Sequence, residues 1–296
     1  MLNFMQWKKN PIVADGAWGT EMLKAGLTQG DAPELWNFSH PGIVSGIARS
    51  YAAAGSKIIL TNTFGGSSIK LEHSGVADKM FEINKRGAEL TKQAGGGDYL
   101  TAGDMGPSGK LVMMGEVSID DVEDSFARQA EALREGGADL IVLETFIDLI
   151  EIKAALKGAI KGGACPVVCS MTFDPMADGT FRTIMGHSPE EAVATLEESG
   201  ASLIGANCGT GIDAYAELAK TLCSLTELPV WIKANAGLPI LVDNKVVYPM
   251  SADDYTTFIP SLLDAGVAVI GGCCGTAPEH IEGIVKVLKD FQGRGK

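Results

Sequence analysis

Three of the six cysteines in this 296-residue chain stand where sulfur could hold a metal ion. Cys208 lies in GANCG, and Cys273 and Cys274 lie together in GGCCGT, so each apolar run that precedes them ends in sulfur flanked by glycine. Adjacent residues on a regular strand face opposite ways, so Cys273 and Cys274 reach one ion only if the chain leaves strand geometry there, which Gly272 and Gly275 permit. Three thiolates with one position open make a catalytic zinc arrangement, whereas a structural zinc site shows four ligands in local pairs such as CxxC. A free thiol of pKa about 8.5 is mostly protonated near neutral pH, while a zinc-bound thiol is deprotonated. Three thiolates on Zn²⁺ leave a formal charge of about -1, and a substrate thiolate added as the fourth ligand keeps electron density on sulfur. Such a sulfur suits attack on an electrophilic methyl carbon better than polarisation of a carbonyl. A redox pair at Cys273 and Cys274 is the alternative use of these residues. Cys165, Cys169 and Cys223 lack this context and read as small buried hydrophobes.

Further chemistry-bearing residues lie at other breaks in the pattern. In DGAWGT, residues 15–20, a glycine-rich turn can aim backbone amides at an anion such as an amino-acid carboxylate, or serve as a plain tight turn. It lacks the GxGxxG and GxxxxGK[ST] patterns, so no nucleotide site is expected. Glu144 closes the very apolar run LIVLE, where a carboxylate is costly unless a substrate ammonium or a structural Arg or Lys pairs it. TNTFG, with Asn62, and NAGLP, with Asn235, are polar breaks whose roles spacing does not assign. His40, His73, His187 and His280 show no HxH or HExxH spacing and read as surface or packing residues; His187 is the one placed to line a site.

The elements that must position these residues repeat along the chain. Eight short runs rich in Val, Ile and Leu span residues 11–14, 57–61, 99–103, 139–143, 166–171, 202–206, 229–234 and 267–272. Runs of this kind fit strands buried on both faces, and the stretches between them are long enough for crossover helices. The expectation is an α/β protein, a single (β/α)₈ TIM barrel occupying residues 1–296 as one domain. Ser118, Ser188, Ser251 and Thr276 each precede an acid by three residues, as in a capping box. Val122, Phe126, Ala130 and Leu133 recur at helical spacing, ended by Gly136 and Gly137. AAAGSKIIL, EGGADLIVLE, ESGASLIGAN and DAGVAVIGG share one design, a helix end with glycine followed by a strand. In such a barrel the active site lies at the carboxyl ends of the strands, where this chain places Asp15, Asn62, Asp104, Glu144, Thr172, Asn207 with Cys208, Asn235, and Cys273 with Cys274.

Composition removes other classes. A formal charge of -13 lacks the cationic field a nucleic-acid groove needs and disfavours an anionic membrane. With 46% hydrophobic and 21% charged residues the chain can build a large core. The amino end lacks a signal-peptide pattern, and no apolar stretch approaches the roughly 20 residues that span a bilayer. A cytoplasmic protein is expected, with its cysteines reduced rather than paired.

Taken in order, DGAWGT, TNTFG, GDMGPSG, GGADLIVLET, GANCG, NAGLP and GGCCGT resemble the homocysteine S-methyltransferase family over nearly the whole chain. The resemblance implies that Cys208, Cys273 and Cys274 bind zinc and that Asp15, Gly16 and the neighbouring turn through Gly19 and Thr20 hold the amino-acid part of homocysteine, beside Asn62. It further implies that Glu144 receives the ammonium and that Asn235 lies near zinc when substrate is absent. NAGLP is more similar to the homocysteine barrel of cobalamin-dependent methionine synthases than to the betaine- or S-methylmethionine-dependent branches. No folate barrel or cobalamin module follows in this chain, so the expected donor is a methylcorrinoid such as methylcobalamin on a separate corrinoid protein. Trp18, Lys233 and the residues around Cys208 depart from the family pattern. Two other functions are compatible with these residues: a catabolic methyltransferase component that loads a corrinoid protein from a methylated substrate, and a non-catalytic zinc-binding barrel.

Overall fold

The computed structural model describes residues 3–28, 30–95, 98–164, 166–242 and 245–294. Each apolar run yields one strand: β1 (Ile12–Val13), β2 (Ile58–Leu60), β3 (Leu100–Met105), β4 (Leu140–Phe146), β5 (Val167–Met171), β6 (Leu203–Gly211), β7 (Val230–Asn235) and β8 (Val269–Gly272). The eight pair in parallel in the order β1-β8-β7-β6-β5-β4-β3-β2. Ala14 bridges Ile58, and the Lys57 amide donates to the Val13 carbonyl at 2.7 Å, so the sheet closes on itself as a TIM barrel.

A crossover helix follows each strand: α1 (Pro41–Ala54), α2 (Met80–Ala94), α3 (Ile119–Glu135), α4 (Leu149–Lys161), α5 (Pro189–Glu198), α6 (Ile212–Leu225), α7 (Ile259–Ala265) and α8 (Pro278–Arg294). The helices cover the outside of the barrel, which is why the strands carry apolar residues on both faces. On α3 the stripe Val122, Phe126, Ala130 and Leu133 is fully buried. Gly55, Gly137, Gly200 and Gly266, from the four matching phrases, take left-handed φ angles of 101°, 97°, 94° and 92°. Only glycine adopts that conformation without a Cβ penalty, and it turns each helix end into the next strand.

The helix starts are only partly as expected. Ser188 and Glu191 form the full capping box. Ser118 and Ser251 accept the amides of Asp121 and Asp254, but their hydroxyls donate to those carboxylates at 2.6 Å. Aspartate, one methylene shorter than glutamate, does not reach back to the cap amide. Thr276 is no cap at all: α8 starts at Pro278, and the Ala277 amide donates to His280 Nδ1 at 3.2 Å. The Thr276 hydroxyl instead donates to the Cys273 carbonyl at 2.8 Å and accepts the Ala17 amide at 3.1 Å, joining the last strand end to the first.

Two strands run past the polar residues expected to end them. The register of β4 on β5 shifts between Leu143 and Phe146, and that of β6 on β7 between Asn207 and Gly211. Thr145 and Cys208, within these bulges, have φ angles of 67° and 62°. Bulges of this kind re-aim side chains at a barrel rim. Two hairpins, Asp174–Pro175 with Phe181–Arg182 and Ile240–Val242 with Lys245–Val247, rise from the same rim after β5 and β7. Cys169 is buried in β5 and Cys223 half-buried in α6, as packing residues, while Cys165 lies outside the described residues. Among the described residues no helix is long and apolar enough to cross a membrane.

Phe126 packs its ring 6.0 Å from that of Phe146, tying α3 to the bulged end of β4. Phe126→Ala should therefore lower unfolding free energy by about 3–5 kcal/mol, seen as a lower urea midpoint at unchanged m-value.

Candidate functional site

The three cysteines meet because their strands break where they stand. Cys208 and Gly209 are consecutive left-handed residues, with φ angles of 62° and 65°, inside the β6 bulge. On the other side β8 stops at Gly272, and the two cysteines are pinned to the end of β7. The Cys273 amide donates to the Ala234 carbonyl at 2.8 Å, and the Cys274 carbonyl accepts the Ala236 amide at 2.9 Å. Gly275, at φ 82°, then donates its amide to Thr20 Oγ1 at 3.1 Å. The three Sγ atoms end within 4.8 Å of one another, with Cys208 and Cys274 at 3.9 Å. Sulfurs bound to one tetrahedral zinc at about 2.3 Å stand roughly 3.8 Å apart, so the cluster fits a single ion.

These thiols form one end of a cavity of about 540 Å³. Gly16, Gly19, Thr20, Asn62 and Glu144 line it together with the cysteines. Among the described residues the amides of Gly16, Gly19 and Thr20 donate to no protein acceptor. Asn62 secures the wall, its Nδ2 donating to the Pro33 carbonyl at 2.8 Å and to Asn37 Oδ1 at 3.0 Å. Asp15 and Asn235 sit behind the wall. Asp15 is fully buried, and its carboxylate accepts from Lys233 Nζ, Trp18 Nε1 and the Leu60 amide, each at 2.8 Å. Held by these three donors, Asp15 shapes the DGAWGT turn, and it is not among the residues that line the cavity. Trp18 and Lys233, two of the three departures from the family pattern, are its side-chain partners. Asn235 donates Nδ2 to the Gly209 carbonyl at 3.2 Å, while its Oδ1 is buried without a partner.

Charge in the cavity wall is unbalanced. Lys233, 2% exposed, holds Asp15 at 2.8 Å but stands 3.9 Å from Glu144 Oε2. Burial alone would lower the Lys233 ammonium, and the attraction of Asp15 and Glu144 more than reverses that. Glu144 and Asp104, 7% and 5% exposed, each present a buried oxygen with no hydrogen-bond partner. Burial raises both carboxyls; Glu144 raises Asp104 further, and Lys233 pulls both back only in part. Asp104 ends the third apolar run as Glu144 ends the fourth, and that shared position placed it at the rim in the sequence without assigning it a role. Glu34 also lines the cavity, accepting the Gly65 amide at 2.6 Å. It lies in a single 3₁₀ turn, Pro33–Leu35, too short to show periodicity, so nothing in the sequence singled it out. His187 pairs loosely with Asp148 at 3.6 Å away from this wall, and His73 stands at the cavity edge.

A family model described as homocysteine S-methyltransferase matches residues 12–288. The chain belongs to that family. The methionine synthase of Mycobacterium leprae is 32% identical over 297 residues, covering 94% of this chain and 24% of the relative. That of Mycobacterium tuberculosis is 30% identical over 299 residues, covering 95% and 25%. The chain thus spans about a quarter of the length of these curated relatives. Among solved structures, the metallated homocysteine methyltransferase MmuM of Escherichia coli superposes with a TM-score of 0.76 at 22% identity, over 94% of this chain and 96% of that one. A Rhizobium etli pyruvate carboxylase matches with a TM-score of 0.56 at 12% identity, over 98% of this chain and 27% of that one. At such identities these two structures speak for the barrel alone.

For a member of this family, the state of the thiols decides whether a metal is needed. The hydrogen bond with Cys273, with burial, pushes the Cys208 thiol up to about 12. The bond with Cys208, with burial, pushes Cys274 up to about 11. Without a cation the cluster is therefore protonated at neutral pH, and a divalent ion must displace protons to bind. Zinc affinity should rise with pH from roughly 6 to 8, because each thiol proton released makes binding more favourable as protons become scarce. Chelator competition reads this, together with Cys274→Ser, which should fall from one bound zinc per chain to a small fraction. An affinity flat in pH, or unaffected by the serine, would contradict the cluster's role.

Proposed function

We propose that Cys208, Cys273 and Cys274 hold a zinc ion and that the chain moves a methyl group onto the sulfur of homocysteine, giving methionine. The observation that carries this reading is the meeting of three thiols, within 4.8 Å, in a cavity whose other walls offer free amides and unpaired carboxylates. When bound, zinc would supply the charge that keeps an incoming thiol deprotonated near neutral pH.

The remaining work falls to the chain's own groups. The amides of Gly16, Gly19 and Thr20, free of protein acceptors at the start of a short helix, are donors for a carboxylate. Glu144 and Asp104 offer oxygens to an ammonium, which brings three donors of its own. Lys233 gives its short contact to Asp15, so Glu144 keeps its lone pairs for the ligand. An amino acid held at both ends on these walls has only its thiol left for the cysteine cluster. Fixing that orientation removes much of the entropic cost of bringing the reacting atoms together.

The similarity to methionine synthases supports a methylcorrinoid as donor, presented at the rim by a corrinoid protein. The rim itself fits a protein-borne donor. On the second hairpin Ile240, Leu241 and Val246 are 47%, 71% and 58% exposed, and a contiguous apolar patch of this kind marks a surface that another molecule covers.

Zinc-loaded protein mixed with homocysteine and methylcobalamin should form methionine, and Glu144→Gln should raise KM for homocysteine at least tenfold, the order expected on losing a charged hydrogen bond. Turnover with betaine or S-methylmethionine but none with methylcobalamin would overturn the donor.

A further inference from the structure

Asn207 stands immediately before Cys208 and is fully buried. Its Oδ1 accepts the Thr145 amide at 2.9 Å and the Ser170 hydroxyl at 2.7 Å. Its Nδ2 donates to Thr145 Oγ1 at 2.7 Å and lies 3.9 Å from Cys273 Sγ. The backbone carbonyl of Asn207 is held as well, by the hydroxyls of Tyr215 at 2.9 Å and Thr172 at 3.0 Å. An amide side chain is ordinarily ambiguous, since its oxygen and nitrogen look alike. Here chemistry decides the orientation. A backbone N–H can only donate, so the atom facing Thr145 N is oxygen, and the nitrogen is turned toward sulfur.

The local backbone is arranged around this contact. Thr145 is a β-branched residue at φ 67°, a conformation that persists only where neighbours over-determine it. Its two bonds with the Asn207 amide do so. Asn207 thus links the bulge of β4, the bulge of β6 and the first cysteine after β8.

We propose that Asn207 is a positioning residue that donates a hydrogen bond to the Cys273 sulfur and lowers that sulfur's nucleophilicity. An electrophilic methyl group then goes to the acceptor's sulfur and leaves the protein's own ligand unmodified. A thiolate that shares an N–H has less density available for attack, and hydrogen bonds to charged acceptors are the stronger ones. Partners behind a metal's direct ligands commonly tune them in this way. The inference rests on the reading of the three cysteines as metal ligands.

Cobalt(II) in place of zinc reports on each sulfur through the near-ultraviolet thiolate-to-metal band. Asn207→Asp keeps an acceptor for the Thr145 amide but has no N–H, and Asn207→Ala adds no charge, so the two variants share the loss of the Nδ2 donor to Cys273 Sγ and to Thr145 Oγ1. Both should move the band to longer wavelength with its intensity retained, while Ser170→Ala, which removes a bond on the far side of the amide, should not. In the zinc forms, methylation of Cys273 by methyl iodide, with iodide leaving, should be roughly two- to tenfold faster in both variants by mass spectrometry. A thiolate band absent from the unmodified chain would sink the metal reading and this inference with it. A band present there that keeps its position in either variant would overturn the role of Asn207 alone.

Discussion

Sulfur atoms carried by strands two apart in a sheet start roughly 9.5 Å from one another, and bringing them within reach of one ion governs the rest of this structure. β6 and β8 flank β7, yet Cys208 and Cys274 stand 3.9 Å apart. Regular strands would not allow this. The chain accepts a left-handed cysteine on β6 and abandons β8 at Gly272, and each departure is braced by groups from distant parts of the sequence. Thr276 ties Cys273 to Ala17, Thr20 holds the Gly275 amide, and Asn207 links Thr145 to Cys273. A left-handed non-glycine residue costs on the order of 1–3 kcal/mol, which a closed barrel with a continuous core can sustain.

Electrostatics divide the same wall into satisfied and unsatisfied halves. Asp15 receives three donors and is a structural anion, fixing the turn whose amides face the cavity. On the adjacent strands β3 and β4, Asp104 Oδ1 and Glu144 Oε2 are buried with no hydrogen-bond partner. Buried carboxylates left so are costly, and the cost is relieved by a ligand that brings donors and positive charge. Lys233 is shared between the halves and commits to Asp15. Thiols, free amides and unpaired carboxylates therefore converge on one cavity with the complementarity of an amino-acid thiol.

Much of the frame was legible in the amino-acid order. Runs of Val, Ile and Leu buried on both faces announced all eight strands, and the glycine-ended helix phrases marked four of the junctions. The cysteines stood out because glycine flanks them, and that glycine is what lets the chain turn at Cys208 and after Gly272. What pattern could not show was partnership at long range. Asp15 ends a strand beside a glycine-rich turn, and its partner Lys233 lies 218 residues away. Thr276 had the spacing of a cap, and its hydroxyl was taken by Ala17 and Cys273 instead. Glu34 reaches the cavity from a single 3₁₀ turn and accepts the Gly65 amide, a contact with no periodicity to announce it.

Zinc-edge X-ray absorption on the purified chain, before and after homocysteine, tests the central claim most directly. Three sulfur neighbours at about 2.3 Å, rising to four when homocysteine is added, are the predicted result. Four protein sulfurs in the free protein, or no gain of sulfur with homocysteine, would contradict it.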